Sequence, residues 1–400
     1  MHPLTACVPD VKLREGAAED WRTAMAQVNR KSRLRMRSTG GLPMLLGVVL
    51  LLTMVIGSGG ASAAHLPAGP ANCNSSFDPY HYTRAAVSTC GYKTFPLLAT
   101  SKLPGGGTVY DYHMNGKTVK TYRPPAGFRP YSASNTKLAE YGFPPRPTNP
   151  SALAVWRTEM RNWRGSAPAP RFLMETHTRA DTTYSNIWAG YAIQDLGGNF
   201  FTHAEGWYTE PTIYGSRCSH TLEVSWAGLG AYTGSGILAQ NGTVYDSSGA
   251  YNHQAWWEIL PDYPSIVPIP FYGHPGYVFD ASTRWLGNNA YRFWFYDYYS
   301  HTTDVFDVSD FYYDPVSAEV IIERPQVNNV PTNLSNFGTW SVANAAANGA
   351  WFNTYPPSSA NSLTIRHGVH MASNTTGNDL ADPSNIGSGG YFTVSQHNCN

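Results

Sequence analysis

The side chains that could do chemistry in this chain are carboxylates and amides set among aromatic residues. Gln240 lies in Leu238-Ala239-Gln240-Asn241-Gly242-Thr243, and Glu258 in Ala255-Trp256-Trp257-Glu258-Ile259-Leu260-Pro261. Glu319 and Glu323 lie in Ser317-Ala318-Glu319-Val320-Ile321-Ile322-Glu323-Arg324-Pro325. Other chemistries lack their frames. There is no Gly-x-Ser-x-Gly elbow, no His-Glu-x-x-His run and no Cys-x-x-Cys pair. No glycine-rich phosphate loop precedes a helix. His367 and His370 are three apart in a segment that reads as a strand. An odd separation sends them to opposite faces and argues against a shared metal. Read singly, Gln240 before Asn-Gly is a solvated turn residue. Glu319, sharing a strand face with Ile321 and Glu323, is a solvent-side charge. Trp226, Trp256 and Trp257 are core or sheet-face aromatics.

The elements that must position these residues are strands. From about Tyr184 onward, short apolar or alternating runs are separated by Gly, Asn and Pro. Examples are Leu222 to Trp226, Ala255 to Leu260, Tyr291 to Tyr296 and Ala318 to Glu323. Many such strands, with no regular repeat, predict an all-β antiparallel sandwich or barrel. The composition agrees. Charged residues are 14% of the chain and aromatic residues another 14%, the reverse of the pattern of disordered chains.

The zero net charge of the 400 residues hides an asymmetry. Residues 64–180 hold 14 Lys+Arg and 5 Asp+Glu, a net of +9. Residues 181–400 hold 5 and 18, a net of −13. Residues 1–63 carry a basic run, Arg30 to Arg37, then the apolar stretch 44–56 and Ala61-Ser62-Ala63. That is the layout of a secretory signal peptide, and the apolar stretch is short of the ~20 residues a membrane span needs. The expectation is a secreted, extracellular protein in three parts: signal peptide 1–63, a small basic α+β region 64–180, and a sandwich 181–400. In the basic region, Thr108–Tyr112 and Lys117–Tyr122 read as a hairpin around Asn115-Gly116. Leu153, Trp156, Met160 and Trp163 then mark a helix face. Cys73, Cys90, Cys218 and Cys399 follow the signal and allow three pairings; Cys73–Cys90 with Cys218–Cys399 is the simplest.

The order of segments resembles the glutamic peptidases, or eqolisins. Tyr184-Ser185-Asn186-Ile187-Trp188-Ala189-Gly190-Tyr191 is similar to their SxNWAGY opening. Phe201-Thr202 to Pro211-Thr212 and Ser225-Trp226-Ala227-Gly228-Leu229-Gly230 follow in family order. The Gln240, Glu258 and Glu319 segments resemble LxQxGT, AWYExxP and AEWIxExP. Asn336-Phe337-Gly338-Thr339 and Gly389 to Val394 close the series. The region upstream, with Tyr141-Gly142-Phe143-Pro144-Pro145-Arg146-Pro147, resembles that of bacterial members. Three departures stand out. Ile187 is inserted before Trp188, Val320 replaces the usual tryptophan, and Gly230 stands where fungal members carry an acid.

The resemblance implies a lectin- or glucanase-like sandwich of two antiparallel sheets and a polypeptide substrate. It implies no metal, no cofactor, no nucleic acid and no membrane after signal cleavage. It assigns Gln240 and Glu319 as the catalytic pair, with Trp226, Trp256, Trp257 and Glu258 as substrate-binding residues. Strand alternation allows only one of Trp256 and Trp257 to face a cleft. Glu319 can take a proton from water and return it to the leaving amine, while Gln240 donates to the oxyanion without adding negative charge. An optimum near pH 3–5 is expected from carboxylate pKa values of roughly 4. Asn241-Gly242-Thr243 is formally a glycosylation sequon, expected to be unmodified because a glycan there would block the cleft. The basic region is either an intramolecular pro-segment, held by charge until the medium turns acidic, or an accessory element completing a sheet edge. The competing function is a glycan-binding or glycan-hydrolysing sandwich, with Glu258 and Glu319 as its carboxylate pair.

Overall fold

The structure is a computed structural model. It describes residues 92–114, 116–148, 150–169, 172–175, 186–195, 201–215, 218–230, 232, 237–263, 265–309, 311, 316–327, 330–355 and 364–400. The chain divides into two units, Met1–Ala64 and His65–Asn400, and all described residues belong to the second. The signal segment and Cys73–Cys90 therefore lie outside the described residues.

The strands run in chain order as β1 Tyr92–Phe95, β2 Leu97–Lys102, β3 Thr108–Met114 and β4 Lys117–Arg123. The helices α1 Asn135–Glu140 and α2 Pro150–Asn162 come next, then β5 Gly165–Ser166 and β6 Phe172–Glu175. There follow β7 Trp188–Asp195, β8 His203–Thr209, β9 Thr221–Gly230, β10 Leu238–Asp246, β11 Gln254–Leu260 and β12 Val267–Tyr272. Next are β13 Val278–Gly287, β14 Ala290–Asp297, β15 Thr302–Ser309 and β16 Ser317–Glu323. The short β17 Gln326–Val327, β18 Val330–Pro331 and β19 Asn333–Leu334 precede β20 Thr339–Ala347 and β21 Ala350–Trp351. The chain closes with β22 Thr364–Val369, β23 Met371–Ala372, β24 Asp379–Pro383 and β25 Phe392–Gln396.

Two large sheets form a sandwich, one of the two forms the strand pattern allows and the one the family resemblance implies. The front sheet is ordered β12-β11-β10-β9-β16-β7-β22, with β19 beside β9. The back sheet is ordered β2-β3-β4-β15-β14-β13-β8-β20-β25-β24-β23, with β5 and β21 at its margins. Alternate residues of each sheet meet in the core. Ala227, Leu229, Ala239, Trp257, Ala318, Val320 and Ile322 come from the front, and Tyr208, Phe279, Ala281, Phe293 and Phe295 from the back. Cys218–Cys399 is a disulfide, as the simplest pairing expects, and ties the approach to β9 to the C-terminus.

The hairpin and helix of the basic region are both present and are built onto the back sheet. β4 continues the sheet beyond β15, pairing Thr121 with Phe306 and Val119 with Val308. Met114 and Val119 enter the inter-sheet core. Helix α2 lies on the outer face of the back sheet, where Trp156 and Met160 pack with Trp294, Tyr296 and Val305. Ion pairs Lys117–Asp262 and Arg123–Asp304, each 3.1 Å, also join the region to the sandwich.

Beneath α2 lies a concentration of acid. The Tyr298 hydroxyl donates to Glu159 Oε1 at 2.6 Å, and Glu159 is hydrogen-bonded to Asp280 of β13. Glu205 of β8 completes the cluster and accepts from Trp207 Nε1 at 2.9 Å. The neighbouring groups on these strands are Arg284, His203 and Tyr296. Burial, reinforced by the charge of Glu205 and opposed by the hydrogen bonds to Tyr298 and Asp280, pushes the Glu159 carboxyl up from its ordinary 4.5 to about 8. Asp280 moves in the same direction, through burial and the charges of Glu159 and Glu205. A carboxyl group with a raised folded-state pKa stabilises fully below its unfolded value, and the benefit is lost as pH rises through the folded value. The α2 contact should therefore be firmest below about pH 4.5 and weaken toward pH 8. In Glu159→Gln that loss should be blunted. Thermal melts from pH 4 to pH 8 should show the wild type losing several degrees more than the variant, and parallel curves would refute the account.

Candidate active site

One row of residues crosses the front sheet. Glu258 opposes Gln240, Gln240 opposes Gly228, and Gly228 opposes Glu319. Glu319 opposes Ala192, which opposes His367. Residues directly opposite in neighbouring strands share a face, so Glu258, Gln240, Glu319 and His367 all lie on the side away from the sandwich core. The backbones of Gln240 and Glu319 are two strand spacings apart, about 10 Å. Gly228 stands between them without a side chain. A Cβ at Gly228 would meet the Trp226 ring at 2.9 Å and Gln240 Cβ at 3.1 Å, so glycine lets those two groups close in on the row.

The row is framed by tryptophan. Trp226 and Trp256 belong to the apolar cluster on this face, with Trp188, Ile321 and Val369. Trp188 meets Trp226 edge-on at 5.0 Å, and Trp226 Nε1 donates to Glu323 Oε2 at 2.9 Å. Trp257 is placed differently. It stacks on Phe293 of the back sheet at 5.5 Å, inside the inter-sheet core. Of the expected residues, the structure brings together Gln240, Glu258, Glu319, Trp226 and Trp256, and leaves Trp257 on the other side of its sheet.

The electrostatics of the row are unusual. Gln240 is 4% exposed and Glu319 is 0% exposed. Gln240 Nε2 donates to Glu258 Oε2 at 2.7 Å, which fixes the orientation of the amide. Gln240 Oε1 and both oxygens of Glu319 have no well-formed hydrogen bond among the described residues. Burial raises the Glu319 carboxyl well above the usual carboxylate range. The Ser317 hydroxyl and the Tyr232 amide lie near enough to oppose that shift, and burial outweighs them. The Tyr232 N–H is itself directed at Ser317 Oγ, at 3.3 Å. Buried acceptors normally have donors. A row that presents three without them is suited to a molecule that brings its own O–H and N–H groups.

Residues 186–381 match the model of the Peptidase A4 family. The match covers just under half of the chain, all of it within the sandwich. The family's members are glutamic peptidases, hydrolases of peptide bonds. Among solved structures the chain is similar to scytalido-glutamic peptidase bound to a peptide-based transition-state analogue, at 18% identity and a TM-score of 0.42. It is also similar to SCP-B, an eqolisin in complex with the tripeptide Ala-Ile-His, at 16% identity and a TM-score of 0.40. Each similarity covers 54% of this chain and 100% of the other. Aspergilloglutamic peptidase from Aspergillus niger follows at 17% identity and a TM-score of 0.35, over 44% of this chain and 99% of that one. No curated protein sequence matches the chain.

The departures from the Peptidase A4 motifs have physical readings. Val320 points into the inter-sheet core, where its Cγ1 atom lies 2.8 Å from the place a Cβ on Gly206 would occupy. Valine for tryptophan is therefore a packing change behind the sheet. Gly230 has φ +97°, and a Cβ there would strike the Ile237 carbonyl. An acid at that position would need a different backbone. Sequence reading missed Gly228, Tyr232 and His367. The Tyr232 and His367 rings lie 4.7 Å apart beside the Glu319 end of the row, and His367 Nε2 is buried without a partner among the described residues. Alternation along Trp226-Ala227-Gly228 puts Gly228 on the Trp226 face, but its register opposite Gln240 and Glu319 comes from long-range pairing. Nothing local would have brought β22 alongside.

A buried carboxyl with a raised pKa stabilises the fold while protonated and loses that benefit as pH rises through the raised value. Glu319→Gln removes the ionisation without changing shape. The variant should match the wild type near pH 4 and be more stable at pH 8, by about 1–3 kcal/mol. Chemical denaturation at the two pH values measures the difference, and an unchanged gap would contradict the burial of an unpaired carboxyl.

Proposed function

We propose that this glutamic peptidase is a secreted endopeptidase acting in acid, with Glu319 and Gln240 as its catalytic pair. The observation that carries the reading is the shared opposition to Gly228, which sets a buried carboxyl and a buried amide on one face with a gap between them. Glu319 takes a proton from the attacking water. The carbonyl oxygen of the substrate becomes an oxyanion and accepts from the Gln240 amide. Glu319 then returns the proton to the departing amine as the C–N bond breaks. An amide nitrogen has two donors. Glu258 engages one of them, leaving the other for the oxyanion, so Glu258 acts by holding Gln240 in position. Trp226 and Trp256 supply flat apolar walls for an extended peptide.

The glycan-active alternative requires Glu258 and Glu319 to act as the pair with Gln240 remote. Gln240 instead stands between them and is bonded to Glu258, which favours the peptidase.

Glu319→Gln should abolish casein digestion. Gln240→Ala should cost about 100- to 1,000-fold in kcat, and Glu258→Gln should retain measurable turnover. The digestion should resist pepstatin, chelators and serine- or cysteine-directed reagents. The rising limb of kcat/KM against pH reports the ionisation of the base in the free enzyme. Because burial raises Glu319, that limb should lie above the ordinary carboxylate value, toward the weakly acidic end of the range. Full activity in purified Glu319→Gln would remove the assignment.

A further inference from the structure

A pocket of about 650 Å³ opens in the basic region, walled by residues 123–132, the end of α2, and Trp163 to Ser166. Four arginines line it, Arg123, Arg129, Arg161 and Arg164, and no carboxylate does. The surrounding sequence explains the imbalance. Residues 121–170 hold seven Lys+Arg and only Glu140 and Glu159 in opposition. Glu140 is paired with Lys137 at 2.6 Å, and Glu159 is buried under α2 against Tyr298. Neither neutralises the pocket.

Two of the arginines have structural duties. Arg123 is ion-paired with Asp304 and donates to the Pro168 carbonyl at 2.8 Å, although its Nε is buried without a hydrogen-bond partner. Arg161 lies over the Tyr131 ring at 5.0 Å, at the end of a helix where a cation is favoured. Arg129 and Arg164 have no such duty. Both are exposed and make no side-chain hydrogen bond or ion pair among the described residues. The local field is positive enough to lower the pKa of the Tyr131 phenol, chiefly through its bond to Arg161, with Arg157 and Arg146 contributing. Planar guanidinium forks match tetrahedral and planar oxyanions and keep their charge at any working pH.

The geometry points to an anion site, and we propose that this pocket binds a ligand carrying two or more phosphate or sulfate groups. The volume is that of a small-molecule site, larger than a single oxyanion fills, and the arginines stand on separate walls. In acid a ligand with carboxylates alone would lose its charge near pH 4, whereas phosphate and sulfate groups keep theirs. The site is distinct from the catalytic row. Its wall at Gly165–Ser166 pairs with β15 of the back sheet, while Gln240 and Glu319 are on the outward face of the front sheet.

The test uses the full exported chain and reads binding rather than peptide hydrolysis, so it stands whatever becomes of the catalytic pair. Pyrophosphate, heparin and acetate are titrated at pH 4 and pH 7, followed by calorimetry and by the fluorescence of Trp163. Pyrophosphate and heparin should bind at both pH values and acetate at neither. R129A/R164A should weaken binding at least about tenfold with activity on a short peptide unchanged. R129K/R164K should recover part of the affinity, since charge returns without the fork. Heparin binding much more tightly than pyrophosphate would identify a polymer-borne anion as the ligand; equal affinities would identify a free one. Absence of binding by both probes at pH 4, or equal binding by the wild type and R129A/R164A, would overturn the proposal.

Discussion

The structure depends on a strand that is covered on both faces. All ten residues of β9 are buried. One face supplies Ala227 and Leu229 to the inter-sheet core, and the other supplies Trp226 and Gly228 to the row that holds Gln240 and Glu319. Strand side chains alternate with period two, so a slip of one residue would send Trp226 inward and Leu229 outward. The core therefore fixes the register of β9 against β10 and β16, and that register decides whether Gln240 and Glu319 meet. The fold and the site are secured by the same pairing. The glycine at the centre is what allows two long polar side chains to approach from either side of one strand.

Charge alone would read the basic and acidic halves of the chain as partners held by attraction. The contacts give a different weighting. Two described ion pairs join the basic hairpin to the sandwich, Lys117–Asp262 and Arg123–Asp304, and exposed pairs such as the first contribute little. Strand pairing through β4, with burial of Met114, Val119, Trp156 and Met160, supplies the larger share. The two electrostatic contributions also respond oppositely to acid. The ion pairs fade as carboxylates protonate, whereas the Glu159–Asp280 contact needs a proton to be comfortable. Cutting the chain before Tyr184 would leave the hairpin still hydrogen-bonded to β15.

The sequence disclosed what is local. The strand-rich class, the hairpin, the α2 face and the motifs around Gln240, Glu258 and Glu319 follow from patterns within a few residues, and the choice of a two-sheet sandwich over a barrel came from the family resemblance. Parity showed that Trp256 and Trp257 could not share a face but not which one faced the site. That choice is made by Phe293, which arrives from β14 to stack on Trp257. His367 was legible only as a histidine unsuited to share a metal with His370. Its place two strands from Glu319 comes from β22 pairing with β7, a contact between segments far apart in the chain. The acid cluster under α2 was hidden for the same reason, because Glu159, Glu205 and Asp280 come from three unrelated segments. Long-range pairing, not residue type, created those environments.

Burying a carboxyl is costly to a fold, and at Glu319 the nearby Ser317 hydroxyl and Tyr232 amide offset only part of that cost. A carboxylate at position 240 would add repulsion to desolvation and push the pair toward a shared proton. Glutamine supplies the donor without that repulsion. Its own orientation is then the weak point, because an amide can turn over with little change in shape. Glu258 removes the ambiguity by accepting from Nε2, which leaves Gln240 Oε1 as the acceptor left over among the described residues. Glu319 is thus left without a well-formed hydrogen bond among the described residues, while Glu258, one strand beyond the glutamine, holds the amide still. Two glutamates in one row, chemically alike, sit in different environments because Gln240 is bonded to one and Gly228 opens a gap before the other.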